Sequence, residues 1–166
     1  MPIIKAYLDN DVVSAIAKDD NATESTALDR LLGARETGLV ALVTSEITLG
    51  EIRKYSGPWL KSLERTFRLL EKVPIVRWDE LVGMHSYGDH RTWINSPLIQ
   101  NMPLYDSFLK LGVKPVDSQH LFVAAQQACT VFLTCDRGVL ARSAGIQDLC
   151  ALVVQRPSEL ATQNGW

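Results

Sequence analysis

Five carboxylates stand at chain positions from which a reactive centre can be built: Asp9, Asp11, Glu51, Asp117 and Asp136. Carboxylates brought together repel, and each raises its neighbour's pKa unless a cation is present. Hard divalent cations such as Mg²⁺ and Mn²⁺ suit all-oxygen sites and need few protein ligands. The chemistry open to such a set is therefore binding of one or two divalent ions, with coupled titration of the acids when the metal is absent. A bound metal lowers the pKa of its water, and a second can stabilise the leaving oxygen of an in-line displacement. Each acid also has a structural role open to it, because Asp caps helices in strand-to-helix turns. Asp117 could simply cap the helix that follows it. Glu51 resists that reading, since it falls past the first turn of its helix among apolar neighbours.

The elements that must position these acids read as alternating strands and helices. Ile3 to Leu8 is a short apolar run ending in Asp-Asn-Asp, which predicts a buried strand and a turn into a helix, Asp11 to Lys18. A second helix is expected from about Thr23 to Glu36, with Leu28, Leu31 and Leu32 on one face and Gly38 as its stop. Leu39 to Val43 is a second strand, and Thr44-Ser45 can cap the helix that carries Glu51. Another helix is expected at about Trp59 to Glu71, a short strand at Val73 to Trp78, and a polar excursion from His85 to Pro103. Helices follow at Leu104 to Leu111 and at Ser118 to Ala128, the latter opened by Asp117. A strand at Val131 to Thr134 ends at Asp136. A helix from about Gly138 to Ser143 leads to Gly145, and Ala151 to Val154 is the last strand. This alternation implies a three-layer α/β/α fold with a mainly parallel central sheet, in one domain spanning 1–166. Ligands of open α/β sheets bind at the carboxyl ends of the strands, so the acids are expected to converge on one sheet edge.

Four segments carry a family resemblance. They are Tyr-Leu-Asp9-Asn-Asp-Val-Val, Ser45-Glu-Ile-Thr-Leu-Gly-Glu51, Asp117-Ser-Gln-His-Leu-Phe-Val-Ala124 and Leu133-Thr-Cys-Asp136. In this order they resemble the PIN-domain nucleases, and within them the VapC-like toxins. The resemblance implies a PIN-like fold and an endoribonuclease that uses Mg²⁺ or Mn²⁺ to hydrolyse RNA phosphodiester bonds. It implies Asp9, Asp117 and Asp136 as metal ligands, with Glu51 as a further ligand or the group that orients the nucleophile. Thr134 and Ser45 would support these ligands through hydrogen bonds. A protein antitoxin and a homodimer are the partners it implies. Two departures stand out. Asp11 occupies a place where the family usually has Asn, Ser or Thr, and could join the site. The stretch from about Trp78 to Pro115 is longer and more polar than in the compact toxins.

Among the other residues, Lys61, Arg65, Arg68 and Lys72 fall on one helix stripe, either a phosphate track or a solvated face. Arg137, beside Asp136, is a candidate phosphate contact. The spacing of His85, His90 and His120 matches no zinc pattern, and His120 is expected to pack near the site. Trp78, Tyr87, Trp93 and Tyr105 could stack on bases or anchor the core. Two other functions compete. One is a phosphatase resembling the haloacid-dehalogenase family, with Asp9 and Asp11 in its opening motif and Thr44 or Ser45 and Lys114 in later ones. It leaves Glu51 without a role. The other is a catalytically silent PIN-like binding module.

Composition bounds the setting. The 166 residues carry a net charge of -2, so any nucleic-acid role rests on local features and not on an overall basic field. No apolar run approaches the roughly 20 residues needed to cross a bilayer, and Lys5 and Asp9 interrupt the first apolar stretch, unlike a signal peptide. Cys129, Cys135 and Cys150 lie in apolar surroundings without metal-ligand spacing, which together with the missing leader leads to the expectation of a reducing, cytoplasmic location.

Overall fold

The computed structural model describes residues 3–17, 21–54, 75–76 and 103–166. In chain order the elements are β1 (Ile4–Leu8), α1 (Asn10–Ala17), α2 (Ala22–Glu36), β2 (Val40–Ser45), α3 (Glu46–Lys54) and β3 (Ile75–Val76). There follow α4 (Pro103–Lys110), α5 (Pro115–Gln126), β4 (Val131–Leu133), α6 (Arg137–Leu140), α7 (Ser143–Cys150), β5 (Val153–Gln155) and α8 (Pro157–Gln163). The expected helix at 59–71 with its basic stripe lies outside the described residues. So do His85, His90, Trp78, Tyr87 and Trp93, and nearly all of the 85–103 segment.

The described strands form one parallel sheet in the order β3-β2-β1-β4-β5. Period-two alternation divides their side chains between two cores. Ala6, Leu8, Val40, Leu42, Val131 and Leu133 face one side, where Val12, Val13, Leu28, Leu31 and Leu160 from α1, α2 and α8 cover them. Tyr7, Val43 and Phe132 face the other, against Phe108, Leu121, Val139 and Ile146 from α4 to α7. The result is a three-layer α/β/α fold, as the strand–helix alternation implies. Burial on both faces explains why the strands read as continuous apolar runs. Among the described residues, no helix is long and apolar enough to cross a membrane.

Three features differ from the sequence expectation. α5 begins at Pro115, two residues before Asp117, because proline is preorganised for the first helical position. Gly145 does not end a helix but lies within α7, where a Cβ would come 3.1 Å from Leu111 Cδ2. The glycine serves close packing of α7 on the end of α4. The chain also continues past β5 into α8, which Glu24 clasps. This buried carboxylate of α2 accepts from Ser158 N at 3.0 Å and from Ser158 Oγ at 2.7 Å, in the first turn of α8.

Candidate functional site

The acids gather at the carboxyl edge of the sheet, as β1 and β4 run side by side in parallel. Asp9 follows β1 directly, and its N–H donates to Leu133 O at the end of β4 (3.1 Å). That bond fixes the first acid against the strand that leads to Asp136. Asp9 is 3 % exposed, and both its oxygens are engaged. Oδ1 accepts from Asn10 N at 2.7 Å, and Oδ2 accepts from Thr134 Oγ1 at 2.8 Å. The Thr134 hydroxyl in turn accepts from Asp136 N at 3.1 Å. One buried side chain thus sets the relation between two of the acids.

Asp136 caps α6. Its Oδ1 accepts from Val139 N at 2.9 Å, leaving Oδ2, 3.8 Å from Lys114 Nζ, to face outward. Capping and site membership are therefore shared between the two oxygens of one carboxylate. Asp117 makes no cap: the cap position of α5 is Lys114, which forms no side-chain cap hydrogen bond. The structural role open to Asp117 in the sequence is absent here, and its carboxylate stands among the other acids instead.

Electrostatics binds the five together. Asp11 is pushed up to about 6 by burial and then by Asp9, Asp136, Asp117 and Glu51. Asp117 is also pushed up to about 6, by burial and by Asp9 and Asp136, against the opposing influence of Lys114 and His120. Burial raises Asp9 as well, with Glu51 adding to the effect, while His120, Thr134 and Asn10 N oppose it. Burial first and the neighbouring carboxylates second disfavour the charged forms of these acids, an effect that a cation placed among them would counter.

A second network supports this edge from within the core. Tyr7 OH lies 2.6 Å from Ser45 Oγ and 2.7 Å from His120 Nδ1. The other ring nitrogen, Nε2, is 3.1 Å from Glu51 Oε2 and 3.8 Å from Asp9 Oδ1. His120 is 1 % exposed. Burial is the largest influence on it and disfavours its cation, but Glu51, Asp9 and Asp117 together outweigh burial and raise its pKa. Ser45 is the last residue of β2 and stands directly before α3. Thr44 Oγ1 donates to Leu8 O at 3.1 Å and lies 3.2 Å from Thr48 Oγ1. Tyr7 was not among the sequence candidates. Its signal is parity: on a strand, Tyr7 and Asp9 share a face, and a polar-tipped residue two before a site acid can reach the site. His120 similarly sits one turn after Asp117.

The donor set can be tested against a divalent ion. Among the described residues, no three His, Cys, Asp or Glu side chains are grouped closely enough to enclose an ion by themselves. Mg²⁺ retains several waters and takes only one or two carboxylates directly. The oxygen donors of Asp9, Asp11, Asp117 and Asp136 at one sheet edge are of the chemical type that fits a hydrated ion of that kind. Arg137 is exposed at the start of α6, beside this edge. No family model matches the chain, and no curated protein matches it.

Proposed function

We propose that the protein is a metal-dependent endoribonuclease of the PIN type, acting on RNA phosphodiester bonds. The observation that carries this reading is the convergence of the acids at one sheet edge, where Asp9 and Asp136 are tied through Thr134 and where burial, and after it the neighbouring acids, raises Asp11 and Asp117. Asp9, Asp117 and the outward oxygen of Asp136 would hold Mg²⁺ or Mn²⁺, with Asp11 a further acid of the same centre. The ion, when bound, supplies an activated water and stabilises the leaving oxygen. Glu51, held by His120, orients that water. Thr134 keeps Asp9 and Asp136 in register. Lys114, whose side chain is 75 % exposed, and Arg137 offer positive charge to the phosphates flanking the scissile bond. A protein antitoxin and homodimerisation belong to the same proposal and rest on the sequence resemblance, and a cytoplasmic setting rests on the unpaired cysteines and the charged first segment.

The phosphatase alternative fits less well. It needs Thr44 or Ser45 free for phosphate, yet these hydroxyls are buried and engaged with Leu8 O and Tyr7. It also gives Glu51 no task. The test is incubation of RNA with Mg²⁺, Mn²⁺ or EDTA, comparing wild type with Asp117→Asn and Asp11→Asn. Cleavage that requires the divalent ion and falls at least roughly 100-fold in Asp117→Asn is expected, in the range of losses seen when a transition-state contact is removed. Intact RNA under every condition, or hydrolysis of p-nitrophenyl phosphate abolished by Asp11→Asn, would remove the nuclease reading.

A further inference from the structure

Behind the acid cluster lies a chain of polar groups that joins Glu51 to the core. Ser45 Oγ, Tyr7 OH, His120 and Glu51 are linked in series by contacts of 2.6, 2.7 and 3.1 Å. Three of these four residues are within the core: Tyr7 is 0 %, Ser45 1 % and His120 1 % exposed. Ordering three polar groups in a core is costly unless each is satisfied, and here each is.

The chain has a direction. A carboxylate accepts hydrogen bonds and has no hydrogen to give, so the contact with Glu51 requires a hydrogen on His120 Nε2. With a neutral ring, Nδ1 then accepts from Tyr7 O–H, and Tyr7 accepts from Ser45 O–H. With a charged ring, Nδ1 donates to Tyr7, and Tyr7 donates to Ser45. The two hydroxyls can reverse, whereas Nε2–H faces Glu51 in both states. The tautomer is thus assigned by the network, and the function of the contact does not depend on the charge of the ring. The ring itself is fixed by Tyr7, which meets it edge to face at 5.8 Å and stacks on Phe132 at 5.3 Å.

Glu51 is the one acid of the five on a long side chain in the middle of a helix. It carries rotamer freedom that costs up to about 2 kcal/mol to suppress. Its carboxylate reaches toward Asp9, with the same Nε2 between them. We infer that His120 is a positioning residue: Tyr7 and Ser45 orient its ring so that Nε2–H holds Glu51 in one rotamer beside Asp9. The consequence for activity rests on the nuclease reading; the positioning itself does not.

The test separates the two. Three-bond scalar couplings of the Glu51 side chain, measured by NMR on metal-free protein, report whether it occupies one rotamer. Wild type, His120→Gln, His120→Phe and Tyr7→Phe are compared after circular dichroism shows which are folded. A single rotamer is expected in wild type, averaging in His120→Phe, partial averaging in Tyr7→Phe and recovery in His120→Gln, whose amide restores an N–H donor. Calorimetry should show Mn²⁺ binding weakened about 10–100-fold in His120→Phe, the usual effect of removing a partner that orients a ligand. On RNA, kcat should fall with KM little changed. Should His120→Phe not fold, Tyr7→Phe, which deletes one oxygen, supplies the comparison. Rotamer averaging of Glu51 in wild type overturns the inference. So does a single rotamer with full Mn²⁺ affinity in folded His120→Phe or Tyr7→Phe. A wild type that fixes Glu51 through His120 yet neither binds Mn²⁺ nor cleaves RNA supports the positioning and removes the nuclease reading.

Discussion

Thr134 does two things with one hydroxyl. It donates to Asp9 Oδ2 and accepts from the Asp136 N–H, at 0 % exposure. Thr134→Val keeps the shape and deletes both bonds, leaving a buried carboxylate oxygen and a backbone donor unpaired. The expected cost is about 1–3 kcal/mol of stability, read by denaturant unfolding. Asp9 should then bind its proton still more tightly, since Thr134 is one of the groups holding it down, and Mn²⁺ binding near neutral pH should weaken. An unchanged unfolding midpoint and Mn²⁺ isotherm would show that the hydroxyl is dispensable. The raised carboxyls make a second prediction, about pH. Asp11 and Asp117 sit at about 6 against an ordinary 3.8. Between these values the folded protein binds more protons than the unfolded chain, so the stability of the metal-free protein falls as pH rises through the window. Unfolding in EDTA should therefore show greater stability at about pH 4.5 than at pH 7 from these groups, the reverse of the usual carboxylate behaviour. A variant with both Asp11→Asn and Asp117→Asn should lose most of that slope.

At the scale of elements, α6 is the short helix on which the site depends most. Asp136 is both its cap and a member of the acid cluster. A Cβ at Gly138 would stand 2.9 Å from the capping oxygen Asp136 Oδ1, so Gly138→Ala should push that carboxylate from Val139 N. Loss of the cap is worth about 1 kcal/mol, and Mn²⁺ affinity should fall with it. Gly33→Ala is the matched control. That glycine lies within α2 with nothing within 4 Å of a new Cβ, and the substitution should stabilise by about 0.5–1 kcal/mol without touching Mn²⁺ binding. Equal Mn²⁺ affinity in both variants would separate the α6 cap from the site. The contrast between these glycines also shows what the sequence discloses. The strands and most helices were legible from apolar periodicity, because a doubly covered parallel sheet writes itself as short continuous apolar runs. Gly145 reads as a stop in the chain, yet its role is set by Leu111, some 34 positions earlier in the count from 145 back to 111, which no local pattern reveals. Pro115 marks the start of α5, but Asp117 competes with it as the opening residue, because a capping role and a site role look identical in sequence. The acids themselves were legible as a set; the Tyr7–His120 link was not, since it joins residues 113 positions apart.

For the molecule as a whole, folding brings together charges that the unfolded chain keeps apart. The two cores, one on each face of the sheet, supply the apolar burial that holds β1, β2 and β4 in register. The carboxyl edge of the same sheet opposes folding, since Asp9 and Asp11 from the first turn must meet Asp117, Asp136 and Glu51. Part of the opposition is met inside the protein by Lys114 and His120, and the remainder is relieved by protons below about pH 6 or, on the proposed function, by a divalent cation. Two consequences follow for one thermal-unfolding experiment at pH 7. First, Mn²⁺ at about 100 times its Kd should stabilise by about 2.7 kcal/mol, which for a chain of this size raises Tm by about 5–10 °C. Second, Asp117→Asn removes one repelling charge, so its metal-free Tm should exceed that of wild type while its response to Mn²⁺ shrinks. Because Asp117 is only partly buried and solvent screens it, the gain should be modest, about 2–4 °C. The two shifts must move in opposite directions in the same variant if the edge is one electrostatic unit whose strain serves cation binding. A metal-free Tm lowered by Asp117→Asn, with the Mn²⁺ response intact, would make Asp117 an ordinary structural residue of α5 and leave the cation to the acids of β1 and β4.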